Sequence, residues 1–126
     1  MSQRVTLMAG AGLGLAAVLL GAFGAHALEP ILVKNGSVET FELAVRYQFY
    51  HAIGLLVVGL LRFHLPSKLW SWITILWVAG VVCFSGSLYT LAFEREITLW
   101  WVTPLGGLFL VAGWIALFAV VARKIS

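Results

Sequence analysis

The stretch LWSWITILWVAGVVCFSGSLYTLAF, from Leu69 to Phe93, contains no Asp, Glu, Lys or Arg. As a helix rising 1.5 Å per residue it is about 37 Å long, more than the roughly 30 Å of a bilayer's hydrocarbon core. No soluble domain hides an uncharged helix of that length cheaply, so its solvent is lipid. Three further apolar stretches surround it, Val5 to Ala25, Ala44 to Leu61 and Leu99 to Ala122. Together the four spans take up most of residues 1–126 and leave no room for a soluble domain. The expectation is a single all-α domain, an integral membrane four-helix bundle.

Composition agrees. Hydrophobic residues make up 62% of the chain and charged ones 10%, and the mean hydropathy is +1.02. These values lie far outside the range of a soluble domain. The net charge of +3 does not point to nucleic acid, because the basic residues are scattered at span ends rather than gathered on one face. Cys83 is the one cysteine and sits inside an apolar span, which excludes an internal disulfide and a Cys/His zinc pattern. Arg4, an apolar run and Ala25-His26-Ala27 imitate a cleaved signal peptide. The run of about 20 residues exceeds the 7 to 15 of a signal h-region, so the first span is expected to stay in the mature protein.

Four spans place the N-terminal tail, the loop from Arg62 to Lys68 and the C-terminal tail on one side. That side carries Arg4, Arg62, Lys68, Arg123 and Lys124, while Lys34, Arg46 and Arg95 fall on the other with Glu29, Glu39, Glu42, Glu94 and Glu96. The positive-inside rule makes the first side cytoplasmic and both termini internal. Trp70 and Trp72 then suit an inner aromatic belt, and Trp100 and Trp101 an outer one. Ser67 after Pro66 suits an N-cap for span three, and Ser37 after Asn35-Gly36 a cap for a helix running into span two. Thr103-Pro104 suits the first turn of span four, which starts there or near Thr98.

Span one carries small residues at Gly10, Gly14, Ala17, Gly21 and Gly24, at intervals of 4, 3, 4 and 3. Lipid offers little hydrophobic drive between helices, so association needs backbones that approach closely, and a small-residue seam permits it. Span three has a comparable line in Gly80, Cys83, Ser87 and Thr90, and span four in Thr103, Gly106 and Gly113. Gly86 and Gly107 join this packing set. The pattern predicts a left-handed bundle closed through Gly/Ala seams; the other use of such glycines is to flank a substrate path.

Polar side chains inside a span are functional candidates by default. Counted from the outer boundary, His51 lies roughly 10 Å deep, Ser87 about 9 Å, Ser85 about 12 Å and Thr103 about 6 Å. His26 marks the outer end of span one. The four spans thus each bring a polar group to the outer half, and the inner half is expected to be nearly all aliphatic and aromatic. Tyr47 and Gln48 share a helical face with His51. The candidate cluster is His26, Tyr47, Gln48, His51, Ser85, Ser87 and Thr103, with His51 expected to bond to a polar partner on another span or to an ordered water, the candidates being Ser85, Ser87, Thr103 and His26. Either it is an interhelical network that fixes register, or it lines an outward-facing pocket for a solute or protons. Haem held by His26 and His51 has nothing else in the sequence to ask for it, and no metal or cofactor is expected. Arg46 is expected to snorkel to the interface and pair with Glu42 one turn earlier. The chain has no aspartate, its glutamates are confined to outer loops, and no nucleophile elbow or phosphate loop can be assembled, so no enzyme is expected.

Four stretches carry a family resemblance: GAFGAHAL from Gly21, YQFYHA from Tyr47, FSGSLY from Phe84 and TPLGG from Thr103. In this order they resemble the signature stretches of the YgdD-like family, small inner-membrane proteins of unknown function. The resemblance covers nearly the whole chain and implies a four-span bacterial membrane protein, without an activity, substrate or cofactor. All four stretches fall on the outer-half cluster. Small four-span multidrug exporters are similar in size, but they rely on a glutamate in the first span that this chain lacks. The expected function is therefore structural or accessory, with the bilayer and either another membrane protein or a second copy as partners. A small-solute or proton-linked transporter built around His51 is the alternative.

Overall fold

The computed structural model describes residues 1–94 and 100–124. Five helices follow one another: α1 (Gln3–Ala25), α2 (Glu29–Asn35), α3 (Val38–His64), α4 (Leu69–Phe93) and α5 (Val102–Lys124), with no strand among the described residues. Four of them are long and apolar enough to cross a membrane. Helices are the form this composition takes, because hydrocarbon supplies no partner for a backbone N–H and an α-helix satisfies its own. The expected starts of span four at Thr98 or Leu99, and the loop charges Arg95 and Glu96, lie outside the described residues. α5 contains Thr103 and Pro104 in its first turn.

The ends show how the chain is punctuated. Ser2 caps α1 by accepting the Val5 N–H at 3.3 Å. The outer connection is no plain loop, since it folds into α2, with Pro30 in its first turn and Gly36 ending it at φ 64°. That left-handed conformation suits glycine, which has no Cβ to strain. Ser37 precedes α3 without capping it, a departure from expectation. Its hydroxyl donates instead to the Ala92 carbonyl at 2.7 Å. Ala92 lies in the last turn of α4, where carbonyls lack helical partners, so the bond ties the outer connection to the end of α4. Ser67 accepts the Leu69 N–H at 3.2 Å at the start of α4.

The spans pack chiefly in the order α1, α3, α4, α5, with a smaller contact between α1 and α4. α1 lies on α3, α3 on α4 and α4 on α5, while α1 and α5 are not neighbours among the described residues. Burial follows this order: 39% of the apolar window is buried in α3 and in α4, against 17% in α1 and 22% in α5. Two apolar cores result. The larger gathers Leu55, Val58, Trp70, Ile73, Trp77, Val81, Leu110 and Val120; the smaller sits at the outer end under α2 and joins Leu32, Phe41 and Ala92.

Two expectations for the inner half are corrected. Trp70 is buried rather than belt-facing and donates its indole N–H to the Leu65 carbonyl; Trp72 is the exposed one of the pair. The inner half also holds polar groups. Thr74 donates to the Trp70 carbonyl at 2.9 Å, which leaves its oxygen to accept the Thr6 hydroxyl at 2.9 Å. This buried pair joins α1 to α4, and Gln3 adds a bond to the Gly59 carbonyl at 2.8 Å.

Candidate functional site

The seam on α1 faces α3 along its length. A methyl added at Gly10 would stand 2.9 Å from the Ala52 carbonyl oxygen, one at Gly14 would stand 3.7 Å from the Ala52 Cβ, and one at Gly21 would stand 3.4 Å from Val45. At Gly24 it would strike the Phe41 ring, and Ala17 between them is buried. On the other side of the bundle Gly80 receives Leu110, Gly106 lies against the Phe84 backbone and Gly113 against the Trp77 indole. A methyl added at Gly107 would be in ordinary contact with Phe84 at 3.9 Å. Gly86 departs from the expected packing role, since a methyl there would meet nothing within 4 Å among the described residues.

Between the two cores lies the polar layer. Gln48, buried on α3, donates through Nε2 to the Leu13 carbonyl at 2.9 Å and accepts at Oε1 from the Tyr89 hydroxyl at 2.7 Å. One amide thereby links α1, α3 and α4. Ser85 donates to the Ala44 carbonyl at 2.7 Å, which fixes α4 against α3 one turn above Gln48. Ser87 donates to the Phe84 carbonyl at 2.9 Å and meets the Thr103 hydroxyl. Ser87 has a single proton and has spent it, so Thr103 is the donor of that pair.

His51 sits apart from these. Its Nδ1 is 2.7 Å from the Tyr47 carbonyl, and its Nε2 is 3.0 Å from the Trp114 indole nitrogen. A carbonyl only accepts and an indole N–H only donates, so the ring is held as the neutral Nδ1–H tautomer. Edge-on contacts complete the setting: Trp77 at a ring distance of 5.4 Å, Trp114 at 5.9 Å, and the two indoles 4.7 Å from each other. Trp77 in turn donates to the Leu110 carbonyl at 3.2 Å. Tyr47 is partly exposed, and its ring lies 4.9 Å from that of Phe84.

The expected cluster is thus several separate junctions. His51 bonds to Trp114 and the Tyr47 carbonyl, not to Ser85, Ser87, Thr103 or His26, because hydroxyls on α4 are consumed by nearer carbonyls. His26 stands outside the layer altogether, exposed at the C-cap of α1 with its backbone N–H on the Phe23 carbonyl. Tyr89, Trp77 and Trp114 are members that sequence reasoning missed. The signal for Tyr89 was its place in FSGSLY, two residues past Ser87; the tryptophans offered none beyond their number.

Chemically the layer holds helices together. His51 has no free ring nitrogen to offer a haem iron. Among the described residues no group of three His, Cys, Asp or Glu side chains could hold a metal ion. A shallow groove of about 510 Å³ between α3 and α5 exposes the edge of this region, lined by Tyr47, Phe49, Tyr50, His51, Ile53 and Trp114.

Known proteins resemble the chain closely. The family model described as "Protein of unknown function (DUF423)" matches residues 20–107. A UPF0382 membrane protein of Staphylococcus epidermidis is 40% identical over 115 residues, covering 91% of this chain and 93% of that protein. The UPF0382 membrane protein YwdK of Bacillus subtilis is 39% identical, covering 96% of this chain and 98% of its own. The UPF0382 inner membrane protein YgdD of Escherichia coli is 36% identical, covering 100% and 95%. No solved structure matches.

Proposed function

This chain belongs to the DUF423 family of membrane proteins of unknown function, and from that premise we propose that it is a structural or accessory component of a membrane complex or process, not an enzyme. One observation carries the reading. Gln48, His51, Ser85, Ser87 and Thr103 all have partners inside the protein. A site that binds a solute or relays protons keeps donors and acceptors open for its traffic, whereas these are engaged in joining helices. The surface is what is left to act. α5 presents Leu108, Val111, Ile115 and Phe118 outward, a face suited to lipid, to another membrane protein or to a second copy.

The membrane is the inner membrane of a bacterium in this reading, with both termini cytoplasmic. Arg4, Arg62, Lys68, Arg123 and Lys124 crowd the inner ends of the spans, and Glu29, Glu39, Glu42 and Glu94 the outer ends. The transporter reading retains one supporting observation, the groove that reaches His51 between α3 and α5.

Photocrosslinking separates the two. A photoreactive residue at Leu108 or at Phe118, both strongly exposed, is expected to capture the same membrane protein, or a second copy, from native membranes. Lipid adducts alone, together with proteoliposome flux that His51→Gln abolishes, would overturn the accessory role. His51→Gln is expected to leave crosslinking unchanged.

A further inference from the structure

In the outer half of the α1/α3 interface the helices meet at Gly21 with Val45 and at Gly24 with Phe41, and hollows open beside these contacts. Gly21, Gly24 and Ala25 on α1 face Phe41, Glu42 and Arg46 on α3 across a cleft of about 250 Å³, with Leu32 of α2 as its roof. A second hollow of about 330 Å³ continues along the same interface past Ala17, Val18, Ala22, Phe49 and Tyr50. The two share Gly21, Val45 and Arg46 as lining, so they adjoin at these residues. Below Arg46 the walls are apolar; at the mouth stand one cation and one anion.

Those two charges are not used by the fold. Glu42 and Arg46 sit one turn apart, both exposed, and form no ion pair with each other or with any described residue, contrary to the pairing their spacing predicts. Along the membrane normal their order is cation inside, anion outside: Arg46 lies two residues inside the expected boundary at Ala44, about 3 Å deep, and Glu42 about 3 Å above it. A zwitterionic phospholipid presents the same order in complement. Its acyl chain is deepest, its phosphate lies at the boundary and its ammonium further out.

We propose that this groove holds one phospholipid with a primary-amine headgroup, its acyl chain along Ala22, Phe49 and Tyr50, its phosphate on Arg46 and its ammonium on Glu42. Guanidinium and phosphate form charge-assisted hydrogen bonds in a fork that a lysine does not reproduce. A primary ammonium donates N–H bonds to a carboxylate, which a quaternary one cannot. The small residues keep the groove open: a side chain longer than alanine at position 22 enters the hollow that the chain occupies.

The test is native mass spectrometry of the full chain released from micelles containing equal amounts of phosphatidylethanolamine, phosphatidylcholine and phosphatidylglycerol with identical acyl chains. The wild type is expected to retain one phosphatidylethanolamine in preference to the other two. Arg46→Ala should lower retention of all three about tenfold. Glu42→Gln should erase the preference for ethanolamine over choline while keeping the phosphate contact, and Ala22→Phe should empty the groove whatever the headgroup. Arg46 and Ala22 are both exposed, and an unchanged thermal melt verifies that each variant is folded. Equal retention of the three lipids by the wild type, or an Arg46→Ala protein that retains lipid like the wild type, overturns the proposal. So does a dimer mass without lipid, which would make a second copy the occupant.

Discussion

The two outer helices dock by opposite uses of the same residue. On α1 the glycines form a ladder along α3: Gly10 meets the Ala52 carbonyl, Leu55 and Leu56, Gly14 the Ala52 Cβ, Gly21 Val45 and Gly24 the Phe41 ring. On α5 glycine makes room for bulk. Gly106 lies against the Phe84 backbone, Gly113 seats the Trp77 indole, and Gly80 of α4 receives Leu110 in return. The first interface relies on repetition, and it can afford to open beside Gly21 into a groove. The second relies on two or three interlocking places. Because lipid supplies no hydrophobic drive between helices, both must reach close contact; the first spreads it along five small residues and the second over Gly80, Gly106 and Gly113.

The largest effect is therefore expected at Gly106→Ala. The added methyl meets backbone, which cannot rotate away, and should cost about 3 kcal/mol or more, read as a fall in the midpoint of steric-trap or denaturant unfolding in micelles. A cost no greater than that of Gly14→Ala would erase the distinction between the interfaces.

Gly113→Ala comes next, at about 2 kcal/mol. The methyl strikes the Trp77 indole, so part of the loss should be recovered in the double variant with Trp77→Phe, and the coupling energy of the cycle measures how far that ring alone sets the contact. Strict additivity would mean that the ring is not what Gly113 accommodates.

A smaller loss belongs to the bond that draws α5 toward α3. Trp114→Phe removes the donor to His51 while keeping an aromatic ring, and should cost about 1 kcal/mol, the usual worth of an interhelical hydrogen bond in a membrane. His51→Leu should cost about the same in the wild type and nothing further in the Trp114→Phe background, as melting in detergent would show.

The smallest effects sharpen the comparison from below. Gly14→Ala adds a methyl at ordinary contact distance, 3.7 Å from Ala52, and should change stability by under about 0.5 kcal/mol. Gly86→Ala meets nothing among the described residues and should stabilise the helix by about 0.5 kcal/mol, since alanine is the better helix former. Destabilisation there would reveal a neighbour on that face in the assembled state.

Much of the α1 side can be read from the chain because its information is periodic. Gly10, Gly14, Ala17, Gly21 and Gly24 share one helical stripe, and a stripe of small residues in lipid has one common use. Gln48 and His51 are equally visible, since polar groups at depth stand out against an apolar background. On the α4 and α5 side only the small residues Gly80, Gly106 and Gly113 are legible in this way, and the side chains that bond across the bundle are not. Trp77, Trp114 and Tyr89 are apolar enough to pass as lipid-facing residues, yet each carries a donor that appears in the layer only once a partner on another helix is placed beside it. Thr6 and Thr74 escaped notice for the same reason: each is unremarkable on its own helix, and the pair exists only across α1 and α4.

By itself the sequence determined the solvent, the number of spans, their approximate limits and the stripe by which α1 adheres, because hydropathy and spacing are properties of one helix at a time. The tertiary structure decided which polar group serves which. It gave the hydroxyls of Ser85 and Ser87 to carbonyls on α3 and α4, left His51 to an indole on α5, set His26 outside, and turned Asn35-Gly36-Ser37 from a loop into the join between α2, α3 and the end of α4. A hydrogen bond reaches only about 3 Å, so its partner is settled by how two helices are rotated and staggered against each other, and no pattern along one chain segment specifies that.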